Sequence, residues 1–90
     1  MSVKVKLPLL LSKYANGQEL LDVAGYSPID CAHKLVIQFP NLKRWLYEKQ
    51  GQLRPQIWFF VNGARIPADE LASPLKDGDE LFILLALGGG

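Results

Sequence analysis

The sequence predicts an α+β fold in which one main helix packs across one face of a mixed sheet of four to five strands. Three features carry that expectation: period-two alternation at the start of the chain, an amphipathic helical stretch with clear start and stop signals, and a long apolar run near the end. Ninety residues allow one domain, and a chain of that size buries only roughly two-thirds of its unfolded surface. One helix on one sheet is an economical core for it.

Val3-Lys4-Val5-Lys6-Leu7 alternates, so Val3, Val5 and Leu7 face inward while Lys4 and Lys6 face water. Pro8 limits further pairing. Asn16-Gly17 is a turn signal, because both residues tolerate positive φ. Glu19 to Val23 follows as a second strand, making an antiparallel hairpin with a long loop. Ser27-Pro28-Ile29-Asp30 reads as a helix start, with a serine cap, proline at the first position and an acid in the first turn. Ile29, Ala32, Leu35, Val36 and Phe39 form one apolar face, and Pro40 ends the helix. A shorter helix is expected from Leu42 to Glu48, stopped by Gly51. Ile57 to Val61 is a strand ending in the Asn62-Gly63 turn, and Arg65-Ile66-Pro67 returns from it. Ala68 to Leu75 holds a single helical turn, Lys76-Asp77-Gly78-Asp79 makes a tight turn, and Glu80 to Leu87 forms the last strand. Its long apolar run suits a central position. This order is that of a β-grasp domain over residues 1–87, with the first and last strands central and parallel, followed by a flexible glycine tail at 88–90.

Composition narrows the function. Apolar residues make up 49% of the chain and charged ones 21%, which excludes disorder. The net charge is +1 and the basic residues are scattered, so the sequence shows no basic stripe for a nucleic acid. The single cysteine, Cys31, excludes an internal disulfide framework and a four-thiolate metal site. The N-terminus lacks the apolar core of a secretion signal, and Leu81 to Leu87 is too short to span a bilayer. A cytoplasmic protein that binds neither nucleic acid nor membrane is expected.

Conventional catalytic equipment is not visible. Cys31 and His33 lie two apart on a helix, so their side chains diverge and cannot form a nucleophile–base pair. Cys31 is expected to be a small, partly buried helix residue. Asp77 and Asp79 flank a glycine and read as turn formers rather than an acid–base pair. Gly63 and Gly78 follow turns, not the start of a helix, so no phosphate loop is present. The chain is expected not to be an enzyme and to bind no cofactor or metal of its own.

The glycines at the end call for an explanation. Gly88-Gly89-Gly90 carries the highest ordering entropy available to three residues, directly after the most hydrophobic strand. A frayed end is one explanation. The other is that a partner encloses the tail, since an extended glycine segment can thread a narrow channel and present a carboxylate to a buried reaction centre.

Ile57-Trp58-Phe59-Phe60-Val61-Asn62-Gly63, followed by Lys76-Asp77-Gly78-Asp79-Glu80 and the final Gly89-Gly90, resembles the ThiS/MoaD sulfur-carrier family of ubiquitin-like β-grasp proteins. The resemblance covers essentially the whole chain, and the eleven residues that follow Asp79 are its most specific part. It implies that an E1-like enzyme, using ATP and magnesium, adenylates the Gly90 carboxylate. A persulfide donor then converts it to a thiocarboxylate, and the carrier passes sulfur to a downstream synthase. Gly88 stands where such proteins often have another small residue, and Leu84-Leu85 replaces the prolines frequent in the molybdopterin branch. The longer length, with Leu-Pro near the start and Asn-Gly-Gln after it, is closer to the cysteine-biosynthesis carriers.

Alternation along the last strand, counted back from Gly90 as in ubiquitin-like proteins, places Leu81, Ile83 and Leu85 inward. Phe82 and Leu84 then face outward beside Trp58 and Phe60, an exposed apolar patch of the kind that marks a docking site. Segment 46–53 could instead fold over it. Three functions remain open at this stage: a sulfur carrier, a ubiquitin-like modifier conjugated to lysine through Gly90, and a plain interaction module.

Overall fold

The structure is a computed structural model that describes residues 2–86. Leu87 and the tail residues Gly88, Gly89 and Gly90 lie outside the described residues. Five strands form one sheet: β1 (Val3–Lys6), β2 (Leu20–Val23), β3 (Ile57–Val61), β4 (Ala64–Ile66) and β5 (Glu80–Leu85). Their spatial order is β2-β1-β5-β3-β4. β1 and β5 pair in parallel, and every other pairing is antiparallel. The first and last strands are therefore central neighbours, as the sequence predicts.

The main helix, α2 (Pro28–Gln38), begins as its sequence dictates. Ser27 Oγ accepts the Asp30 N–H at 3.1 Å, and the Asp30 carboxylate in turn accepts the Tyr26 N–H at 2.8 Å. Two backbone donors at the helix start are thus satisfied reciprocally, a variant of the capping box. At the other end the Phe39 N–H donates to the Leu35 carbonyl before Pro40 breaks the helix. Cys31, Ala32 and Leu35 are fully buried against Val3, Val5, Leu81 and Ile83 of the sheet. Ile29, expected on this face, is 43% exposed. Cys31 takes the inward position, so it is wholly rather than partly buried.

Gly25 explains how the thiol fits. A β-carbon there would collide with Cys31 Sγ and crowd the Cys31 backbone. The connection from β2 into α2 can approach the helix only because it lacks a side chain.

Three connections differ from the sequence expectation. The β1–β2 loop contains a turn of helix, α1 (Leu9–Ser12), and a 3-10 turn at Lys13–Ala15. Leu11 and Ala15 drop into the core from it while Leu9 and Leu10 stay outside, and too short a run of residues is involved to show a helical period. The Asn16-Gly17 turn is as expected, with φ of 56° and 77°. After Pro40, a 3-10 turn (Pro40–Leu42) leads into a single-turn α3 (Lys43–Leu46), which ends well before Glu48. Leu42 and Leu46 anchor it in the core, and Tyr47 leaves in extended conformation to pair with Leu53. Gly51, at φ 90°, turns that small hairpin rather than stopping a helix. Arg65 and Ile66 do form the return strand, but Pro67 leaves it to start a 3-10 turn at Ala68–Glu70.

The two turn motifs of the sequence meet in space. Asn62 Oδ1 accepts the Glu80 N–H at 3.0 Å, its Nδ2 donates to Asp79 Oδ1 at 3.0 Å, and its own N–H donates to the Glu80 carbonyl at 2.9 Å. Asp79 Oδ2 accepts the Lys76 N–H at 2.8 Å, and Asp77 Oδ1 accepts the Ser2 N–H at 2.7 Å. Asn62, at φ 49°, tolerates the left-handed turn and supplies the bridging amide. Both aspartates serve the turn, not an acid–base pair.

The Lys76 backbone N–H and then the Asn62 amide lower the Asp79 pKa below its ordinary value. A depressed carboxylate stabilises the fold above the unfolded-state pKa and loses that contribution as pH falls through the folded-state value. Asp79→Asn should therefore lower the melting temperature at pH 7, with a difference from the parent protein that shrinks as pH falls through the carboxylate's lowered pKa; a difference independent of pH would remove the carboxylate from this account. Gly25→Ala should cost about 1–3 kcal/mol in urea unfolding, the usual penalty of overpacking.

Candidate docking face

β3 and β5 are adjacent and antiparallel, with Trp58 opposite Leu84 and Phe60 opposite Phe82. Their alternate residues Ile57, Phe59, Leu81 and Ile83 are buried toward α2. The period-two geometry then forces Trp58, Phe60, Phe82 and Leu84 onto the other face. All four side chains expected at a docking site thus share one surface.

That surface is less open than the sequence suggests, because each of the four is half-buried. The Phe60 and Phe82 rings sit 6.2 Å apart at 36°. Arg65 from β4 lays its guanidinium 3.7 Å from the Trp58 ring centre, and the Lys6 ammonium from β1 lies 5.8 Å from that of Phe82. These cations are attracted by the negative ring faces and cover part of the apolar area. Beside them remains a groove of about 360 Å³, bordered by Lys6, Phe60, Gly63, Glu80, Leu81, Phe82 and Leu84. Segment 46–53 does not border this groove, and Leu46 enters the core on the helix side. The face thus offers aromatic and aliphatic surface with a charged margin of Lys6, Arg65 and Glu80, shared between β3 and the strand that leads toward Gly88-Gly90.

The other residues singled out in the sequence are not brought together. Cys31 is buried and His33, two residues on, is exposed. Burial, with the Asp30 charge adding to it, pushes the Cys31 thiol up to about 11, and a thiol held protonated is a poor nucleophile. Among the described residues no group of three histidines, cysteines or acids is placed to hold a metal ion, and no helix is long and apolar enough to cross a membrane.

The sequence reading overlooked a second cluster. Arg44 and Trp45 of α3, with Arg54 and Gln56, border a cavity of about 420 Å³ at the end of β5, beside Leu85. Arg44 and Arg54 lie ten residues apart in a stretch with few acids, which is the only hint the sequence carries.

No protein-family profile matches the chain, and no curated protein matches it. Among solved structures, the solution structure of small archaeal modifier protein 1 from Methanosarcina acetivorans is similar at 34% identity and a TM-score of 0.85, covering 99% of this chain and 96% of that one. The chain belongs to the ubiquitin-like β-grasp family of sulfur carriers and small modifiers. Small archaeal modifier protein 1 from Haloferax volcanii, another family member, is 26% identical with a TM-score of 0.83 over the whole of both chains. A chain of the Amycolatopsis orientalis BexX/CysO complex is 26% identical with a TM-score of 0.82, covering 98% of this chain and 99% of that one. The family read from the Asn62-Gly63 and Asp77-Gly78-Asp79 motifs is the family these structures show.

For Cys31, a thiol reagent such as dithiobis-nitrobenzoate should label the folded protein at least about a hundredfold more slowly than the urea-unfolded chain. Equal rates would show that the helix does not shield the thiol.

Proposed function

We propose that this protein is a sulfur carrier whose reactive group is the carboxylate of Gly90. The observation that carries the proposal is that the apolar outer face of β3 and β5 includes the strand that leads to the tail. A partner that grips Trp58, Phe60, Phe82 and Leu84 is positioned to enclose Gly88 and Gly89, whose lack of side chains suits a narrow channel. Affinity and chemistry are thereby divided between the sheet face and the chain end.

The chemistry follows from what a carboxylate can do. Its carbonyl carbon is a poor electrophile. In the active site of an E1-like enzyme, supplied with ATP and magnesium by that enzyme, a Gly90 oxygen attacks the α-phosphorus and pyrophosphate leaves. The resulting acyl adenylate has AMP as a good leaving group. The outer sulfur of a persulfide donor displaces AMP at the carbonyl carbon to give an acyl disulfide. A second thiol on the donor or activating enzyme then attacks the donor's inner sulfur, forming a disulfide there and releasing the thiocarboxylate, which passes its sulfur to a synthase. The protein itself contributes presentation rather than proton transfer. The CysO chain in the BexX/CysO complex supports the expectation of a protein partner.

A second reading has its own support, since the relative at 34% identity is a small archaeal modifier protein. The same activated carboxylate would then be transferred to a lysine of a target protein. Intact-mass measurement of the protein from its own cell, under non-reducing conditions, separates the two: exchange of one oxygen for sulfur marks the carrier, and isopeptide-linked species of higher mass mark the modifier.

Deletion of Gly90 should abolish ATP–pyrophosphate exchange with the cognate activating enzyme, and persistent exchange would place the reactive group elsewhere. Phe60→Asp and Leu84→Asp should each leave the folded-state circular dichroism intact yet weaken binding to that enzyme at least about tenfold, the equivalent of ~1.4 kcal/mol. Unaltered affinity would dismiss the sheet face as the docking site.

A further inference from the structure

The charges of this chain are nearly balanced in number, ten basic against nine acidic, but not in space. Lys43, Arg44, Lys49 and Arg54 border one groove of about 460 Å³, in which Glu48 is the single acid. Arg44 and Arg54 also border the adjoining 420 Å³ cavity at the end of β5, so the two hollows form one continuous surface. Lys13 extends it: its ammonium lies 5.2 Å from the Tyr14 ring centre, and the Arg44 guanidinium lies 5.9 Å from the same ring. None of these five cations makes an ion pair with a described carboxylate, whereas Lys4 and Lys34 elsewhere are paired with Asp22 and Asp30.

The cluster is built rather than incidental. The Arg54 Nε–H donates to the Arg44 carbonyl at 2.9 Å, which holds the Arg54 side chain against α3. The Arg44 guanidinium lies 5.5 Å from the Trp45 ring, and the Tyr14 and Trp45 rings are 5.4 Å apart. Burial works against ionisation of Tyr14, but the neighbouring Arg44 and Lys13 outweigh it and lower the phenol pKa, a sign of the local positive field. The Trp45 indole N–H is buried with no acceptor among the described residues. An unsatisfied buried donor is costly, and Trp45 is one of the residues that border the cavity beside Arg44.

We infer that the Arg44–Trp45–Arg54 surface is a second docking site, which takes an acidic segment of a partner protein. Like charges gathered without counter-ions raise the free energy of the unbound protein and favour a partner that neutralises them. Guanidinium groups flanking an indole suit carboxylates on a peptide that also carries apolar side chains. A protein partner fits better than a nucleic acid because Trp45 and Leu85 line the site beside the guanidinium groups and Glu48 interrupts the adjoining basic groove, whereas a phosphate backbone is matched by an uninterrupted basic stripe. It lies on the helix side of the sheet, so a partner could occupy it together with the apolar face. The inference holds whether the tail carries sulfur or is joined to lysine.

The test uses the full chain and a fluorescein-labelled octapeptide alternating glutamate and leucine, followed by anisotropy at low salt. Arg44→Gln/Arg54→Gln should weaken binding about tenfold, whereas Lys34→Gln/Lys76→Gln, which removes the same charge elsewhere, should change it less than about twofold. In ¹H–¹⁵N spectra the Trp45 indole resonance, told apart from that of Trp58 by Trp58→Phe, should move on peptide addition. Equal losses in the two double variants would reduce the effect to net charge and overturn the site. So would a Trp45 resonance that stays in place, or displacement of the peptide by a single-stranded oligonucleotide at a lower concentration than by unlabelled peptide.

Discussion

The register of β5 is the constraint on which everything else in this protein depends. It is paired on both sides, in parallel with β1 and antiparallel with β3, and its side chains alternate between the core and the outer sheet face. A slip by one residue would exchange Leu81 and Ile83 for Phe82 and Leu84 and invert both surfaces at once. Asn62 prevents that slip. Its side chain joins the β3–β4 turn to the first residue of β5, and Asp79 holds the amide from the other side. Two short motifs seventeen residues apart are thus halves of one clamp.

This contact also explains which parts of the structure were legible in the sequence. Local chemistry determines the Ser27-Pro28 helix start, the Asn16-Gly17 and Asn62-Gly63 turns and the alternation of β1, and these were readable without knowledge of the fold. The division of β5 into two faces was readable for the same reason. Segments set by distant packing were not. Leu11 and Ala15 fold the β1–β2 loop into helical turns because the core has room for them, and Leu42 and Leu46 end α3 early for a similar reason. Cys31 replaced Ile29 on the buried face because Gly25 leaves space above it, a complementarity between two connections that no periodicity reveals. The basic cluster was missed since charge was judged along the chain. Lys13 joins Arg44 only through the packing of Tyr14 on Trp45.

The two surfaces have different physical characters. The outer sheet face is aromatic and aliphatic, softened by the cations of Lys6 and Arg65, and a partner on it would gain affinity by excluding water. The groove by α3 is dominated by unpaired positive charge, which acts at longer range and orients an approaching partner before contact. Asp77, Asp79 and Glu80 gather at the start of β5, while Arg44 and Arg54 stand near its end. The strand therefore runs from an acidic pole toward a basic one, and Ala86, the last described residue, lies at the basic end. A partner with an acidic entrance would meet the protein tail first.

The burial of Cys31 acquires a meaning once the chain end is viewed as an activated acyl group. The chain has a single cysteine, and an accessible thiolate on so small a carrier could capture the acyl adenylate of a neighbouring copy as a dead-end thioester. Enclosed beneath Gly25, with its proton held to about pH 11, this sulfur would not compete for the acyl adenylate under the proposed chemistry. The packing of one helix against one glycine would thereby insulate an activated chain end from the protein's own thiol.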